Sequence, residues 1–347
     1  AVLSLLVEGS AAMKTTGLTA SEETTLRYIV GTSACLSFFG CGVIVYSALR
    51  FKELSKRFFA IRLIFFLTVA DGCAALFNVA GAFADVPALQ RRGTPSVLCE
   101  VQAAGLLYFN LASIMWTSCF AFTLYRDLVP SSFGVGTGRT ALRTYESWYH
   151  ALCWPVPAVL AGTAAALGYL GDSGPWCALG PAYSREYLLC FYLPLVCAFA
   201  FNIIVYALVR RHSRERRVSR TTSLYLIGFV IVWFPSLLRR LQVSYMRRSG
   251  AGYLLAVGEA VCMPLQGALN AAVYGWSLPS IRDVYRFMLL GTDSLEAADE
   301  ARNQKQVPSP AESADSYTPP GAMEVTTKME LGMNSLQSSA DPKAATG

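Results

Sequence analysis

The chain has 347 residues, of which 54% are hydrophobic and only 15% are charged. A soluble domain of this length would carry charge on about a quarter of its residues, so the composition argues against a soluble globular protein. The net charge of +6 comes from basic residues in short clusters between long apolar stretches. Because these clusters form no continuous basic face, they do not indicate nucleic-acid binding.

Seven apolar stretches are each long enough to cross a lipid bilayer. A hydrocarbon core about 30 Å thick needs roughly 20 helical residues at about 1.5 Å each. The stretches cover residues 26–49, 61–84, 97–125, 148–170, 187–209, 222–238 and 253–276. Helices satisfy their own backbone hydrogen bonds in lipid, and the alternating pattern of a membrane β-barrel is missing. The sequence therefore predicts an all-α membrane protein, a bundle of seven transmembrane helices over residues 26–278.

The segments on either side of this core differ from it in composition. We expect residues 1–25 to form an extracellular segment too short for a folded ectodomain. Residues 279–290 place Ile281, Val284, Tyr285 and Met288 on one face, which predicts a short amphipathic helix on the membrane surface. Residues 291–347 are polar and lack apolar periodicity, which predicts a disordered cytoplasmic tail.

Basic residues in the connecting loops predict the orientation, because they favour the cytoplasmic side. The larger set comprises Arg50, Lys52, Lys56, Arg57, Arg62, Arg126, Arg139, Arg143, Arg210, Arg211, Arg214, Arg216, Arg217, Arg220, Arg282 and Arg286. The smaller set comprises Arg91, Arg92, Arg185, Arg239, Arg240, Arg247 and Arg248. We expect the amino terminus outside, the carboxyl terminus inside, and the plasma membrane as the location.

Two of the ten cysteines stand apart from the others. Eight lie within predicted spans, where cysteine usually packs as a small apolar residue. Cys99 begins the third span and Cys177 lies in the loop between the fourth and fifth, and both face an oxidising compartment in this orientation. We expect a disulfide that pins this loop over the mouth of the bundle; the alternative is two unpaired thiols.

Polar side chains at membrane depth usually have partners or a function. Asp71 lies near the middle of the second span, and we expect it to hydrogen-bond to Ser113 and Asn270 or to hold an ion. Asn110, Ser113 and Thr117 share one face of the third span, which should point into the bundle. Hydrogen bonding between helices and ligand contact both fit this face.

Acidic and basic residues also meet at the predicted outer rim. Glu259 lies about two turns into the seventh span, where it either lines a ligand pocket or pairs with Arg239 or Arg240. The same arginines, with Arg247 and Arg248, could attract an anionic ligand; contact with lipid headgroups is the alternative. A ligand contact is also expected at Trp176, beside Cys177.

Proline lies inside four of the predicted spans, at Pro155, Pro157, Pro194, Pro235 and Pro264. Each removes a backbone donor and favours a bend. Trp233, beside Pro235, is the strongest candidate for a moving element because a large aromatic next to a kink can repack in two ways. Static curvature is the alternative.

Basic residues at the predicted cytoplasmic ends of the third, fifth and sixth helices are candidates for contact with a signalling partner or anionic lipid. They are Arg126, Arg210, Arg211 and Arg220. The sequence has only two histidines and no catalytic arrangement of side chains. We therefore predict no metal, no cofactor and no enzymatic activity.

Four motifs lie in the predicted core: Ser-Ile-Met-Trp-Thr-Ser-Cys at 113–119, Tyr-His-Ala-Leu-Cys-Trp-Pro-Val-Pro at 149–157, Gly-Pro-Trp-Cys at 174–177 and Gln-Gly-Ala-Leu-Asn-Ala-Ala-Val-Tyr-Gly at 266–275. Together they resemble the cyclic-AMP-receptor-like family of seven-helix G-protein-coupled receptors. The resemblance strengthens the Cys99–Cys177 prediction and places Trp116 in the core of the bundle. Ala178 stands where the slime-mould receptors have a second tryptophan, so the resemblance does not fix the ligand.

The resemblance implies a receptor that binds an extracellular ligand and activates a heterotrimeric G protein. From the outer arginines we expect this ligand to be small and anionic, such as a cyclic nucleotide. Phosphorylation of Ser and Thr residues in the tail would end signalling, so a receptor kinase or an arrestin-type protein is an expected partner there. The alternative is a seven-helix transporter or channel, which would predict internal repeats and paired charges within the membrane.

Overall fold

The computed structural model describes residues 18–50, 59–84, 97–128, 139–180, 183–212, 216–245 and 251–277. These residues form ten α-helices, one π-helical turn and one small β-hairpin, which lies between the fifth and sixth helices. The helices are α1 (Ala20–Arg50), α2 (Phe59–Phe83), α3 (Val97–Leu128), α4 (Arg139–Cys153), α5 (Pro155–Ala166), α6 (Ser184–Tyr187), α7 (Leu193–His212), α8 (Arg216–Tyr245), α9 (Ala251–Cys262) and α10 (Gln266–Ser277). A π-helical turn, Leu188–Tyr192, joins α6 to α7, and strands β1 (Leu170–Asp172) and β2 (Cys177–Leu179) form the hairpin.

Helix α1 begins six residues before its predicted span because its first turn is capped. The backbone N–H of Thr19 donates to Glu22 Oε2 over 2.7 Å, and the backbone N–H of Glu22 donates to Thr19 Oγ1 over 3.3 Å. This reciprocal pair satisfies two amides that the helix itself leaves unbonded. The cap extends α1 beyond its apolar segment.

Contacts between residues near the helix ends define two ends of the bundle. At the hairpin end, Trp176 packs in one cluster with Leu26 near the start of α1 and Ala256 in α9. At the opposite end, Phe59 at the start of α2 lies beside Tyr149 of α4, with ring centroids 6.2 Å apart. Helix α3 lies at the centre and contacts α2, α4, α5, α7 and both strands.

Apolar and polar side chains are distributed as in a membrane protein. Large apolar residues such as Phe39, Val159 and Leu254 lie on the exterior. Polar residues such as Asp71 and Asn78 are buried inside. This arrangement suits lipid as the surrounding solvent, because apolar side chains are compatible with hydrocarbon whereas polar side chains need partners inside the bundle.

Within the described residues, four helices are long and apolar enough to cross a membrane: Ala20–Leu49, Ile61–Phe83, Val97–Arg126 and Arg185–Arg211. A fifth candidate is the pair Gly252–Cys262 and Gln266–Tyr274, which is bent by 51°. The prediction of a helical, multi-pass membrane protein is confirmed at this level.

The fourth predicted span differs from the structure at both its middle and its end. It divides at Trp154, where Pro155 begins α5, and the helix ends at Ala166 instead of residue 170. Gly168 then adopts a positive φ of 68°, and Leu170 already belongs to β1. The predicted span was too long because Leu170, which is apolar, is buried in a strand of the hairpin and not in the helix.

The seventh predicted span is two helices. Pro264 has no backbone N–H to donate, and α9 ends at Cys262 while α10 begins at Gln266. This agrees with the bend expected at Pro264. By contrast, α8 continues through Pro235.

Several predicted features lie outside the described residues. These are most of the amino-terminal segment, the amphipathic helix at 279–290, the tail at 291–347, and Arg247 and Arg248.

Candidate ligand site at the hairpin end of the bundle

A disulfide joins Cys99 at the start of α3 to Cys177 in β2, with 5.4 Å between the Cα atoms. The predicted pairing is therefore present. The link fastens the hairpin to the central helix of the bundle, and the two cysteines are buried.

The hairpin presents its two faces to different helices. Strands β1 and β2 pair antiparallel, with Leu170 opposite Leu179 and Asp172 opposite Cys177. Cys177 and Leu179 pack in a cluster with α3, whereas Trp176 and Ala178 pack against α1 and α9. Because successive residues of a strand point to opposite faces, the hairpin fills the space between these helices.

The turn of the hairpin is formed by its own polar residues. The Asp172 carboxylate accepts a hydrogen bond from the Gly174 backbone over 2.9 Å. Gly174 has a φ of 103°, which only glycine adopts easily. The same turn places Trp176 at the edge of the bundle interior.

A small cavity lies beneath the hairpin. Its polar or aromatic lining is Asn110 of α3, Trp176, Tyr187 and Phe191, and Met263 lies at the break between α9 and α10. The space open to the centre of a water molecule is about 20 Å³, enough for one or two waters. A ligand must therefore widen the cavity.

Asn110 is the predicted site residue that the structure places in this cavity. The residue is 7% exposed, and it lies in the lining of the cavity. The amide of an asparagine side chain carries two donor hydrogens and one acceptor oxygen. Asn110 can therefore offer both kinds of contact to a ligand or a water molecule in the cavity.

Arg239 and Glu259 form an ion pair beside the cavity. An Arg239 Nη1 donates to Glu259 Oε2, and the two side chains are 13% and 7% exposed. Ser236 Oγ donates to the other carboxylate oxygen over 2.8 Å. The Arg239 guanidinium also lies 5.4 Å from the ring centroid of Trp176. The pair expected at Glu259 is thus present, and it joins α8, α9 and the hairpin.

Arg240 points into the bundle beside this pair. Its guanidinium lies 5.0 Å from the Tyr187 ring and 5.7 Å from the Tyr192 ring, and the residue is 7% exposed. The Tyr192 hydroxyl lies 3.2 Å from Ser236 Oγ. We call Trp176, Tyr187, Tyr192, Ser236, Arg239, Arg240 and Glu259 the arginine cluster.

A second polar cluster lies in the middle of the bundle. Ser113 donates to Asp71 Oδ1 over 2.5 Å, and Asn270 donates to Asp71 Oδ2 over 2.6 Å. Gln266 donates to Ser113 Oγ over 2.5 Å. The predicted partners of Asp71 are confirmed, and Asp71, Ser113, Gln266 and Asn270 are called the central cluster.

The polar face of α3 therefore serves different purposes along its length. Asn110 lines the cavity and Ser113 belongs to the central cluster. Thr117 donates to the backbone carbonyl of Ser113 over 2.9 Å, so its hydroxyl is used within its own helix. The structure does not bring Thr117 to the cavity lining.

The two tryptophans of the predicted core are fully buried in different places. Trp233 lies 5.7 Å from Phe191 by ring centroids and one turn before the arginine cluster. Trp116 stacks on Phe66 at 5.3 Å and contacts His150 edge-on at 5.1 Å, so it faces α2 and α4. Pro235 packs against Gly258 of α9, where an added Cβ would lie 3.4 Å from the proline ring.

The opposite end of the bundle carries a second ion pair. Arg62 donates to Glu146 through two nitrogens, each over 2.8 Å. The Arg126 guanidinium lies 4.7 Å from the Tyr145 ring. Arg210 and Arg211 are exposed at the end of α7, and Arg220 lies in α8 with its side chain outside the described residues.

Sequence reasoning did not identify Tyr192, Ser236 or Gln266. Each is an uncharged polar residue in an apolar segment, with no charge to mark it. A weak signal existed for Gln266, because it lies seven residues after Glu259 and therefore two turns along the same span.

The sequence profile of the family described as slime mold cyclic AMP receptor matches residues 18–238. Cyclic AMP receptor-like protein A of Dictyostelium discoideum is 29% identical over 256 residues, which cover 72% of this chain and 64% of that protein. G-protein coupled receptor 1 of Arabidopsis thaliana is 29% identical, covering 58% of this chain and 56% of that protein. G-protein coupled receptor 157 of Homo sapiens is 30% identical, covering 54% of each.

The matches thus span between about half and two thirds of the length of these relatives. Their names describe receptors, and the family is of the receptor type rather than an enzyme family. The profile match covers most of the chain, so the protein belongs to the slime mold cyclic AMP receptor family and is a G-protein-coupled-receptor-like membrane protein.

Proposed function

We propose that this receptor binds a small anionic ligand at the hairpin end of its bundle and activates a heterotrimeric G protein at the opposite end. In this proposal the core at 26–278 crosses the plasma membrane seven times. The amino terminus is outside, residues 279–290 lie on the inner membrane surface, and residues 291–347 form the cytoplasmic tail. The starts of α1 and α2 pack at opposite ends of the bundle, as two successive crossings require.

The observation that carries the proposal is the arginine cluster beside the cavity. Two arginines and one carboxylate leave a formal excess of one positive charge at neutral pH within this cluster. Trp176 belongs to the cluster and also lines the cavity. An anion that enters beneath the hairpin would therefore meet a cation held by an aromatic face, a suitable environment for a phosphate or carboxylate.

The ligand class follows from the lining. Trp176, Tyr187 and Phe191 offer aromatic faces, and Asn110 offers both a donor and an acceptor. A flat heterocycle with an anionic group would use all of these features. A cyclic nucleotide fits this description, and one Dictyostelium relative is named a cyclic AMP receptor-like protein.

Ligand binding must favour one of two bundle states to produce a signal. The cluster includes Ser236 and Arg239 of α8, just after Pro235, so widening the cavity moves that end of α8. We propose that the opposite end of the bundle then admits a Gα subunit near Arg126, Arg210, Arg211 and Arg220. A receptor kinase or an arrestin-type protein would act on the tail.

Nucleotide exchange on a purified Gα subunit tests the proposal. The full chain is reconstituted in lipid nanodiscs and exposed to cyclic AMP, cyclic GMP and small carboxylates. We expect at least one of these anions to accelerate GDP release, and Asn110→Ala to weaken its potency by about tenfold. Failure of every anion in a preparation that responds to a cationic or neutral ligand would contradict the anionic assignment.

One observation favours the alternative function, a transporter: the seventh predicted span is broken between α9 and α10. Discontinuous helices often line transport sites, and Gln266 at the start of α10 donates to the central cluster. Flux of a radiolabelled anion into liposomes without nucleotide exchange would favour transport. Exchange without flux would favour the receptor.

A further inference from the structure

The positive charge of Arg239 is already neutralised from within the protein. Glu259 pairs with it, and Ser236 donates to the same carboxylate over 2.8 Å. A ligand anion therefore does not find a vacant guanidinium. It must compete with a carboxylate that is covalently tethered beside it and thus present at a high effective concentration.

This carboxylate also ties two helices together. Glu259 belongs to α9, whereas Ser236 and Arg239 belong to α8. The contact lies directly after Pro235, where α8 lacks one backbone hydrogen bond, and directly before the break that follows Cys262. Both helices can bend next to the point at which the ion pair holds them.

The charges around the ion pair favour an incoming anion, which would displace Glu259, over an incoming cation, which would displace Arg239. A cation that took Glu259 would remove the carboxylate partner of Arg239 from a cluster that also contains Arg240, so that the competitor and both arginines would all be cations. An anion that took Arg239 would leave the Glu259 carboxylate with the hydroxyl of Ser236. The aromatic rings of Trp176, Tyr187 and Tyr192 hold the two guanidinium groups in place throughout the exchange.

We propose that Glu259 is a built-in competitor for the ligand: an incoming phosphate or carboxylate replaces the Glu259 carboxylate on Arg239 and thereby releases α8 from α9. This rests on the proposed function, because it names the trigger of the same site. It requires a ligand with at least two anionic oxygens, since the guanidinium fork binds paired oxygens. No covalent bond changes; one ion pair is exchanged for another.

Phosphate-dependent thermal stability of the purified receptor tests the exchange without a G protein. The full chain in phosphatidylcholine nanodiscs is titrated with inorganic phosphate and with cyclic AMP, and chloride is adjusted to keep ionic strength constant. The variants are Glu259→Gln and, as the matched control, Glu100→Gln. Glu100 is an exposed residue at the start of α3, at the same end of the bundle.

We expect Glu259→Gln to bind phosphate at least about tenfold more tightly than the wild type does, because removal of the competing carboxylate raises the fraction of receptors that can bind. Glu100→Gln should titrate like the wild type. Equal phosphate affinity in all three proteins would overturn the proposal. So would the lack of phosphate stabilisation of Glu259→Gln up to about 100 mM, since Arg239 without its carboxylate partner must attract an oxyanion at that concentration.

Hydrogen exchange measures the tie itself in the absence of any ligand. We expect Glu259→Gln to accelerate backbone exchange in the last two turns of α8 by about tenfold relative to Glu100→Gln. If the backbone amides of these two turns stayed equally protected from exchange, the ion pair would not hold α8 to α9, and this part of the proposal would be refuted. These measurements involve no Gα subunit, so a receptor that shows both effects without activating Gα would refute the proposed coupling and leave the exchange of ion pairs standing.

Discussion

Ser113 is the side chain whose removal should damage the central cluster most for the smallest change in volume. Its hydroxyl donates to Asp71 over 2.5 Å and accepts from Gln266 over 2.5 Å. Hydrogen bonds between membrane helices contribute about 0.6 kcal/mol on average and up to about 1.7 kcal/mol. One of the two bonds here involves a buried carboxylate and belongs near the upper limit. Ser113→Ala should therefore lower the free energy of unfolding by about 2–3 kcal/mol.

Thermal unfolding of the detergent-purified protein measures this loss. A change of that size corresponds to a fall of about 5 °C in the unfolding temperature of a chain this large. Thr117→Val is the matched control, because Thr117 lies one turn further along the same helix and its hydroxyl donates to the Ser113 backbone carbonyl instead of to another helix. It should shift the midpoint by less than about 1 °C.

The reasoning would be refuted if Ser113→Ala and Thr117→Val had equal effects. A double-mutant cycle with Gln266→Met separates the two bonds of Ser113. The coupling energy should be about 0.6–1.7 kcal/mol if the Gln266 contact stabilises the protein. A coupling of zero would assign the whole loss to Asp71.

Three further changes test other parts of the structure. Gly267→Ala should lower the free energy of unfolding by about 1–3 kcal/mol, measured by thermal unfolding, because the added Cβ would overlap two side chains of α1. Gly42→Ala is the control: its Cβ would face open space, so the change should be neutral or slightly stabilising. Cys177→Ser should lower the unfolding temperature and abolish anion-dependent stabilisation, and a reducing agent should then have no further effect. Arg126→Gln should reduce agonist-driven nucleotide exchange by about tenfold, while anion-dependent stabilisation stays unchanged.

The four or five spans that the structure supports could be predicted from local apolar composition. The disulfide could be predicted because the expected topology placed both cysteines at the same end of the bundle and the family resemblance pointed to the same pair. A stretch of twenty apolar residues has few alternatives to a membrane helix. Asp71 could be assigned partners because a carboxylate in the membrane must find donors, and Ser113 and Asn270 lie at compatible depths. These predictions follow from solvent physics and from residue spacing.

The hairpin and the arginine cluster were harder to predict. Leu170 is apolar whether it continues a helix or enters a buried strand, so hydropathy could not separate the two. The orientation of the Arg239 and Arg240 side chains could not be predicted either. The sequence placed both residues at the rim, but their inward orientation depends on contacts with Tyr187, Tyr192 and Glu259. Those contacts join residues far apart in the chain, which no local pattern records.

The two polar clusters lie on either side of one break, and this explains how one helical segment can serve both. Glu259 precedes Pro264 and belongs to the arginine cluster, whereas Gln266 follows it and belongs to the central cluster. A straight helix would move both residues as a unit. Because α9 and α10 meet at a bend without a proline N–H, α9 can shift when an anion replaces Glu259 while α10 stays bonded to Asp71 and Ser113. The central cluster then acts as the fixed point, and the movement is directed into α8, the helix that reaches both ends of the bundle.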